Sequence, residues 1–120
     1  AKDEVWIIYG DGSSAFSIAE IDTMVRHKLP AIILIGNDAS WSQIARDQLD
    51  ILKDDVATVL AYSNYEKIGE AFGAKGKTVK TLDEFVQAVK DAQQSVKEGI
   101  PYVINALIGK SDFRKGSISM

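Results

Sequence analysis

Two uninterrupted apolar runs, Val5-Trp6-Ile7-Ile8-Tyr9 and Ala31-Ile32-Ile33-Leu34-Ile35, each break off into a polar turn that contains glycine, at residues 10–14 and 36–40. Continuous apolar runs of this length, rich in β-branched residues and lacking alternation, read as strands buried on both faces. Such strands belong to parallel sheets covered by helices, so the pair already narrows the fold to the α/β class.

The rest of the chain supplies the covering helices. Phe16, Ile18, Ile21, Met24 and Val25 recur at helical spacing, and the cations Arg26, His27 and Lys28 before Pro30 suit a helix C-terminus. A further helix is expected over Trp41–Leu52, whereas residues 53–62 fit either a packed loop or a short strand. Ser63-Asn64-Tyr65-Glu66 has capping-box spacing and opens a helix with Ile68, Ala71 and Phe72 on one face, stopped by Gly73 and Gly76. After a short strand at Lys77–Lys80, a second capping box at Thr81-Leu82-Asp83-Glu84 starts a helix whose stripe is Leu82, Phe85, Val86, Val89, Ala92 and Val96. Gly99 and Pro101 end it, and Tyr102–Ile108 is the last buried strand. The expected architecture is a doubly wound, mostly parallel α/β sheet with helices on both faces, spanning residues 1–108, followed by a polar tail at 109–120.

Composition narrows the chemistry. With 120 residues there is room for one domain, and a net charge of -3 lacks the basic footprint of a nucleic-acid binder. The absence of cysteine removes disulfides, thiolate zinc sites and thiol catalysis, and the single His27 removes multi-histidine metal sites. No apolar run approaches the ~20 residues that cross a bilayer, so no membrane segment is expected in this chain. The first residue is Ala1 and the first strand starts by Val5, which reads as a piece of something longer.

Ligands of open parallel sheets bind beyond the carboxyl ends of the strands, where the two polar turns lie. Gly10-x-Gly12-x-x-Ala15 satisfies the loose dinucleotide pattern, but Asp11 puts a carboxylate where a pyrophosphate would approach. Asp38 follows 27 positions later, and adjacent parallel strands bring both carboxylates to one rim. Two hard oxygen donors beside helix N-termini suit Mg²⁺ carrying a diphosphate, because Mg²⁺ prefers a few carboxylates together with phosphate oxygens.

Gly10-Asp11-Gly12, 24 intervening residues, and then Asn37-Asp38 resemble the metal and diphosphate signature of thiamine-diphosphate-dependent enzymes. Longer stretches extend the likeness: residues 10–17, residues 25–30, residues 35–44 and the tail at 108–117 are similar to the C-terminal cofactor domain of acetolactate synthase-like proteins, including the 2-hydroxyacyl-CoA lyase branch. The resemblance implies thiamine diphosphate and Mg²⁺ as cofactors. It implies that Asp11 and Asp38 ligate the metal through their side chains and Ser40 through its backbone carbonyl. Backbone amides near Gly12, Ser13 and Ser14 would hold phosphate, and Trp41, Ser42 and Gln43 would fall near the diphosphate and thiazolium. Asp38 stands where the broader family has asparagine.

The same resemblance implies a parent enzyme that makes or cleaves a carbon–carbon bond next to a carbonyl, as a homo-oligomer. A separate pyrimidine-binding domain, of the same or a partner subunit, would supply the glutamate that contacts the aminopyrimidine. No catalytic residue is assigned here, so the isolated chain is expected to be inactive. A strand and helix that the family places before the first strand are missing from this sequence, and the vacant sheet position invites self-association. An intracellular parent is expected, by resemblance at the endoplasmic reticulum membrane.

Plainer readings stand beside these. Asp11 and Asp38 could simply shape turns, and Ser13 or Ser14 could be helix caps. His27 suits a helix end better than catalysis, Trp41 could be a packing aromatic, and Trp6 and Tyr9 read as packing residues. The rival functions are a free-standing flavodoxin-like or Rossmann-type nucleotide-binding module and a fragment that serves only as an assembly surface.

Overall fold

The computed structural model describes residues 3–110. Four strands, β1 (Trp6–Gly10), β2 (Ile32–Asn37), β3 (Lys75–Val79) and β4 (Tyr102–Leu107), form one sheet in the order β1-β2-β4-β3. Every pairing is parallel, with Trp6 opposite Ile32, Ile32 opposite Tyr102, and Tyr102 opposite Lys75. The doubly wound parallel architecture expected from the apolar runs is therefore present. The expected tail falls almost wholly on residues outside those described.

The helices are α1 (Asp11–Ser14), α2 (Glu20–Arg26), α3 (Ser42–Leu52), α4 (Tyr65–Ala71) and α5 (Leu82–Lys97). On one face, Ile21 and the half-buried Met24 and Val25 of α2 join Tyr65 of α4 over Ile33, Ile35 and Val103. On the other, Ala88 and Ala92 of α5 pack on Ile32, Tyr102, Ile104 and Val79. Full burial of each such isoleucine contributes about 1.5–3 kcal/mol, so the two clusters grip β2 and β4 from both sides.

Several local expectations change. β1 is not buried on both faces: it is an edge strand, and Ile8 is 69% exposed. The helix expected from Phe16 onward is divided, because residues 15–22 wind mainly through i→i+3 bonds, from Ala15 N–H to the Gly12 carbonyl through Asp22 N–H to the Ala19 carbonyl, with an i→i+4 bond from Ile18 N–H to the Ser14 carbonyl between them. Residues 53–62 form turns and a single antiparallel bridge, Ser40 to Val59. Gly73, at φ +100°, ends α4 as expected, but Gly76 lies inside β3.

The two capping boxes part company. Thr81 Oγ1 accepts from Glu84 N–H at 3.2 Å while Glu84 Oε2 accepts from Thr81 N–H at 3.2 Å, closing the box at the start of α5. Ahead of α4, Asn64 takes the N-cap position with no side-chain cap, and Glu66 turns inward. Leu82 and Val86 of the expected α5 stripe are exposed, since the helix crosses only part of the sheet.

Candidate functional site

The sequence places Asp11 immediately after β1 and Asp38 immediately after β2, and parallel pairing of Gly10 with Gly36 brings both turns to one rim. Asp11 is completely buried. Its Oδ2 accepts the Ser40 N–H at 3.2 Å, whereas its Oδ1 has no hydrogen-bond partner. Burial, and then the charge of Asp38, push the Asp11 carboxyl above the usual carboxylate range, against the opposing pull of the Gly12 and Ser40 amides. Asp38 is half-buried and its Oδ2 accepts a short hydrogen bond from the Ser42 hydroxyl.

Ser40 is held between the two. In its bridge to Val59 the hydrogen bonds belong to its neighbours: Trp41 N–H donates to the Thr58 carbonyl at 2.8 Å, and Leu60 N–H to the Ala39 carbonyl at 2.8 Å. A residue in such a pair turns its own peptide groups away from the partner segment. That orientation is why the Ser40 N–H faces Asp11. The Ser40 hydroxyl donates to the Thr58 carbonyl at 3.3 Å, so the side chain serves the loop.

Gly12 is required by packing. A Cβ there would stand 2.6 Å from the Trp41 ring, so the indole lies directly against the glycine backbone. Phe16, 84% exposed, meets the same ring edge-on with centroids 5.6 Å apart. Trp41 is thus both the packing aromatic of the plainer reading and a wall of the site. Ser14 is not a helix cap: it is buried and its hydroxyl donates to the Asp11 carbonyl at 2.7 Å. Neither Ser13 nor Ser14 caps α1, whose N-cap is Gly10.

A cavity of about 970 Å³ opens over this rim, lined by Asp11, Asp38, Ser40, Trp41 and Gln43 on its polar side and by apolar residues such as Ile8, Leu34 and Phe85 on the other. Gly10, Gly12, Ser13 and Ser42 also line it, so of the ten expected site residues only Ser14 stands away from the space. Sequence reasoning missed Glu66 and Asn105, both buried behind the rim. An asparagine within the apolar run Val103-Ile104-Asn105-Ala106-Leu107 was the available signal for one of them.

A buried carboxylate oxygen without a partner, facing a second carboxylate, fits a bound cation, since buried charge persists only when paired or coordinated. Among the described residues no group of three or more His, Cys, Asp or Glu side chains could hold a metal. A metal here therefore needs backbone and ligand oxygens beside the two aspartates, which is the donor set Mg²⁺ accepts.

The model for the thiamine pyrophosphate enzyme C-terminal TPP binding domain matches residues 1–106. The chain is 47% identical over 99% of its length to a 2-hydroxyacyl-CoA lyase 2 of Danio rerio, and 46% identical over 98% to that of Homo sapiens. It is 29% identical over 92% to an acetolactate synthase of Bacillus subtilis. It spans about a fifth of the length of these relatives. Among solved structures, benzoylformate decarboxylase of Polynucleobacter necessarius superposes with a TM-score of 0.76 at 25% identity, over 89% of this chain and 20% of that one. A thiamine diphosphate-dependent 4-hydroxybenzoylformate decarboxylase of Rhodococcus jostii superposes at 0.81 with 20% identity, over 92% of this chain and 20% of that one, a likeness of fold.

Proposed function

We propose, for a chain that belongs to the family of thiamine pyrophosphate enzyme C-terminal TPP binding domains, that it holds the diphosphate of thiamine diphosphate through Mg²⁺. Asp11 and Asp38 ligate the metal with their carboxylates, and Ser40 with its backbone carbonyl. The observation that carries this reading is the unpartnered, fully buried Asp11 Oδ1 beside Asp38. Without a cation, two carboxylates and a diphosphate would repel one another at this rim. Amides at Gly12 and Ser13 hold phosphate oxygens, while Ser14, away from the cavity, braces the turn through the Asp11 carbonyl. Gly10, Trp41, Ser42 and Gln43 line the approach to the diphosphate and thiazolium.

Thiamine diphosphate, when bound, supplies the carbanion chemistry of making or cleaving a carbon–carbon bond beside a carbonyl. This chain's part is to orient the cofactor and to keep water from the Asp11 side of the metal. The reading makes the chain part of a 2-hydroxyacyl-CoA lyase or acetolactate synthase-like enzyme, acting with a pyrimidine-binding domain of the same or a partner subunit in a homo-oligomer. The 120 residues alone are then inactive. No helix among the described residues is long and apolar enough to cross a membrane.

Calorimetric titration of the full-length protein with thiamine diphosphate, with and without Mg²⁺, tests the assignment. Heat of binding is expected only with the metal, Asp11→Ala should abolish it, and Asp38→Asn should keep it with an altered metal preference. Equal, full binding by both variants would remove the assignment, and binding indifferent to Mg²⁺ would favour a metal-free nucleotide-type site.

A further inference from the structure

Behind the aspartates lies a second polar assembly that turn formation does not explain. Asn37, the last residue of β2, and Asn105, in the middle of β4, are fully buried on the same side of the sheet, and Glu66 of α4 is buried above them. Asn105 Nδ2 lies 3.0 Å from Glu66 Oε2, 2.9 Å from the Ser63 carbonyl and 3.2 Å from Thr78 Oγ1. Asn105 Oδ1 accepts from Asn37 Nδ2 at 3.1 Å, and that nitrogen also reaches the Ser63 carbonyl at 3.2 Å. Asn37 Oδ1 accepts the Ala39 N–H at 3.2 Å.

The series has a direction. A side-chain amide donates from nitrogen and accepts at oxygen, while a carboxylate only accepts. Asn37 can hold the Ala39 amide only through Oδ1, which turns its nitrogen toward Asn105, and Asn105 must then present oxygen to Asn37 and nitrogen to α4. Glu66 and the Ser63 carbonyl, which only accept, together hold both amides in that sense. The last link holds a backbone that resists it, because Ala39 lies at φ +55°, a left-handed conformation costing a non-glycine residue about 1–2 kcal/mol. Asp38 and Ser40 flank Ala39. Glu66 cannot easily turn away, since Gly76 packs so tightly that a Cβ there would come within 2.9 Å of the Glu66 Cβ.

We propose that Glu66 is a positioning residue which, through Asn105 and Asn37, sets the backbone that presents Asp38 and Ser40 to the divalent cation. This rests on the Mg²⁺ reading above. The test is the Mg²⁺ concentration needed for half-maximal thiamine diphosphate binding by the full-length protein, read from tryptophan fluorescence, beside the thermal unfolding of the metal-free protein. Glu66→Gln keeps size and an acceptor oxygen but removes the charge and can set a donor against the Asn105 nitrogen, leaving the Ser63 carbonyl alone to hold that end of the series. It should raise the Mg²⁺ requirement about tenfold or more, the usual effect of disturbing groups that orient metal ligands, with little change in unfolding temperature. Thr78→Val removes a different Asn105 partner without freeing the direction, and should lower stability while leaving the Mg²⁺ requirement as it was. If Glu66→Gln does not fold, Asn105→Ser, which takes the amide out of the series, carries the same expectation for the Mg²⁺ requirement, with a lower unfolding temperature. A Mg²⁺ requirement equal to that of the unsubstituted protein in the folded Glu66→Gln or Asn105→Ser variant, or one raised equally by Thr78→Val, overturns the positioning role. Absence of Mg²⁺-dependent binding in the unsubstituted protein overturns the cation reading itself.

Discussion

Ser63–Glu66 and Thr81–Glu84 carry one local pattern, a hydroxyl residue followed three places later by glutamate. At Thr81 the pattern closes on itself, with side chain and backbone exchanging bonds at the exposed start of α5. At Ser63 the hydroxyl turns to the Ala61 carbonyl at 3.5 Å, and Glu66 reaches instead into the sheet for Asn105. The difference is depth. Glu84 serves its own exposed helix end, whereas Glu66 gives a buried amide a charged acceptor beside the Ser63 carbonyl and Thr78 Oγ1, a hydrogen bond worth more than a cap.

The sharpest challenge to this contrast is truncation of the inward glutamate. Glu66→Ala removes the charged acceptor of the buried Asn105 amide, leaving it the Ser63 carbonyl and Thr78 Oγ1, and should cost about 2 kcal/mol in denaturant unfolding. A loss no larger than that of an ordinary surface substitution would mean that the network adds no stability. Next in size, Thr81→Ala opens the closed box and should cost about 1 kcal/mol by the same measurement.

A smaller effect appears on the acid side. The Lys80 and Thr81 amides hold the Glu84 carboxyl below its ordinary value of 4.5. The stability it contributes is complete above that value and is lost as pH falls through the lowered one, because protonation removes the acceptor. Glu84→Gln should therefore flatten the acid limb of the stability profile, and an unchanged limb would deny the box its charge. Smallest of all, Ser63→Ala should alter stability by less than about 0.5 kcal/mol, since that hydroxyl caps nothing. A loss matching that of Thr81→Ala would erase the contrast.

The same distinction between near and far partners decides what could be read in advance. Val5–Tyr9 and Ala31–Ile35 look alike, and both are strands, but only the pairing order shows that Ile8 stands on an edge while Ile33 and Ile35 are enclosed. The α2 stripe was legible through Ile21, Met24 and Val25, yet not the tight i→i+3 winding before it, where short-range bonds outweigh periodicity. Asp11 and Asp38 were legible because each ends a strand, and parallel pairing joins strand ends without further instruction. Glu66 and Asn105 were not, because their partners lie 39 and 68 residues away, and nothing local separates Glu66 from a capping residue.

Ala39 has one further consequence. Glycine at φ +55° would relieve the strain and raise the stability of the fold, but it would also admit several backbone conformations where alanine, once held by Asn37, has few. The methyl group thus destabilises the loop while narrowing its ensemble. Directed evolution selecting only for heat resistance would favour glycine at position 39, and would loosen the spacing between Asp38 and Ser40 in the same step.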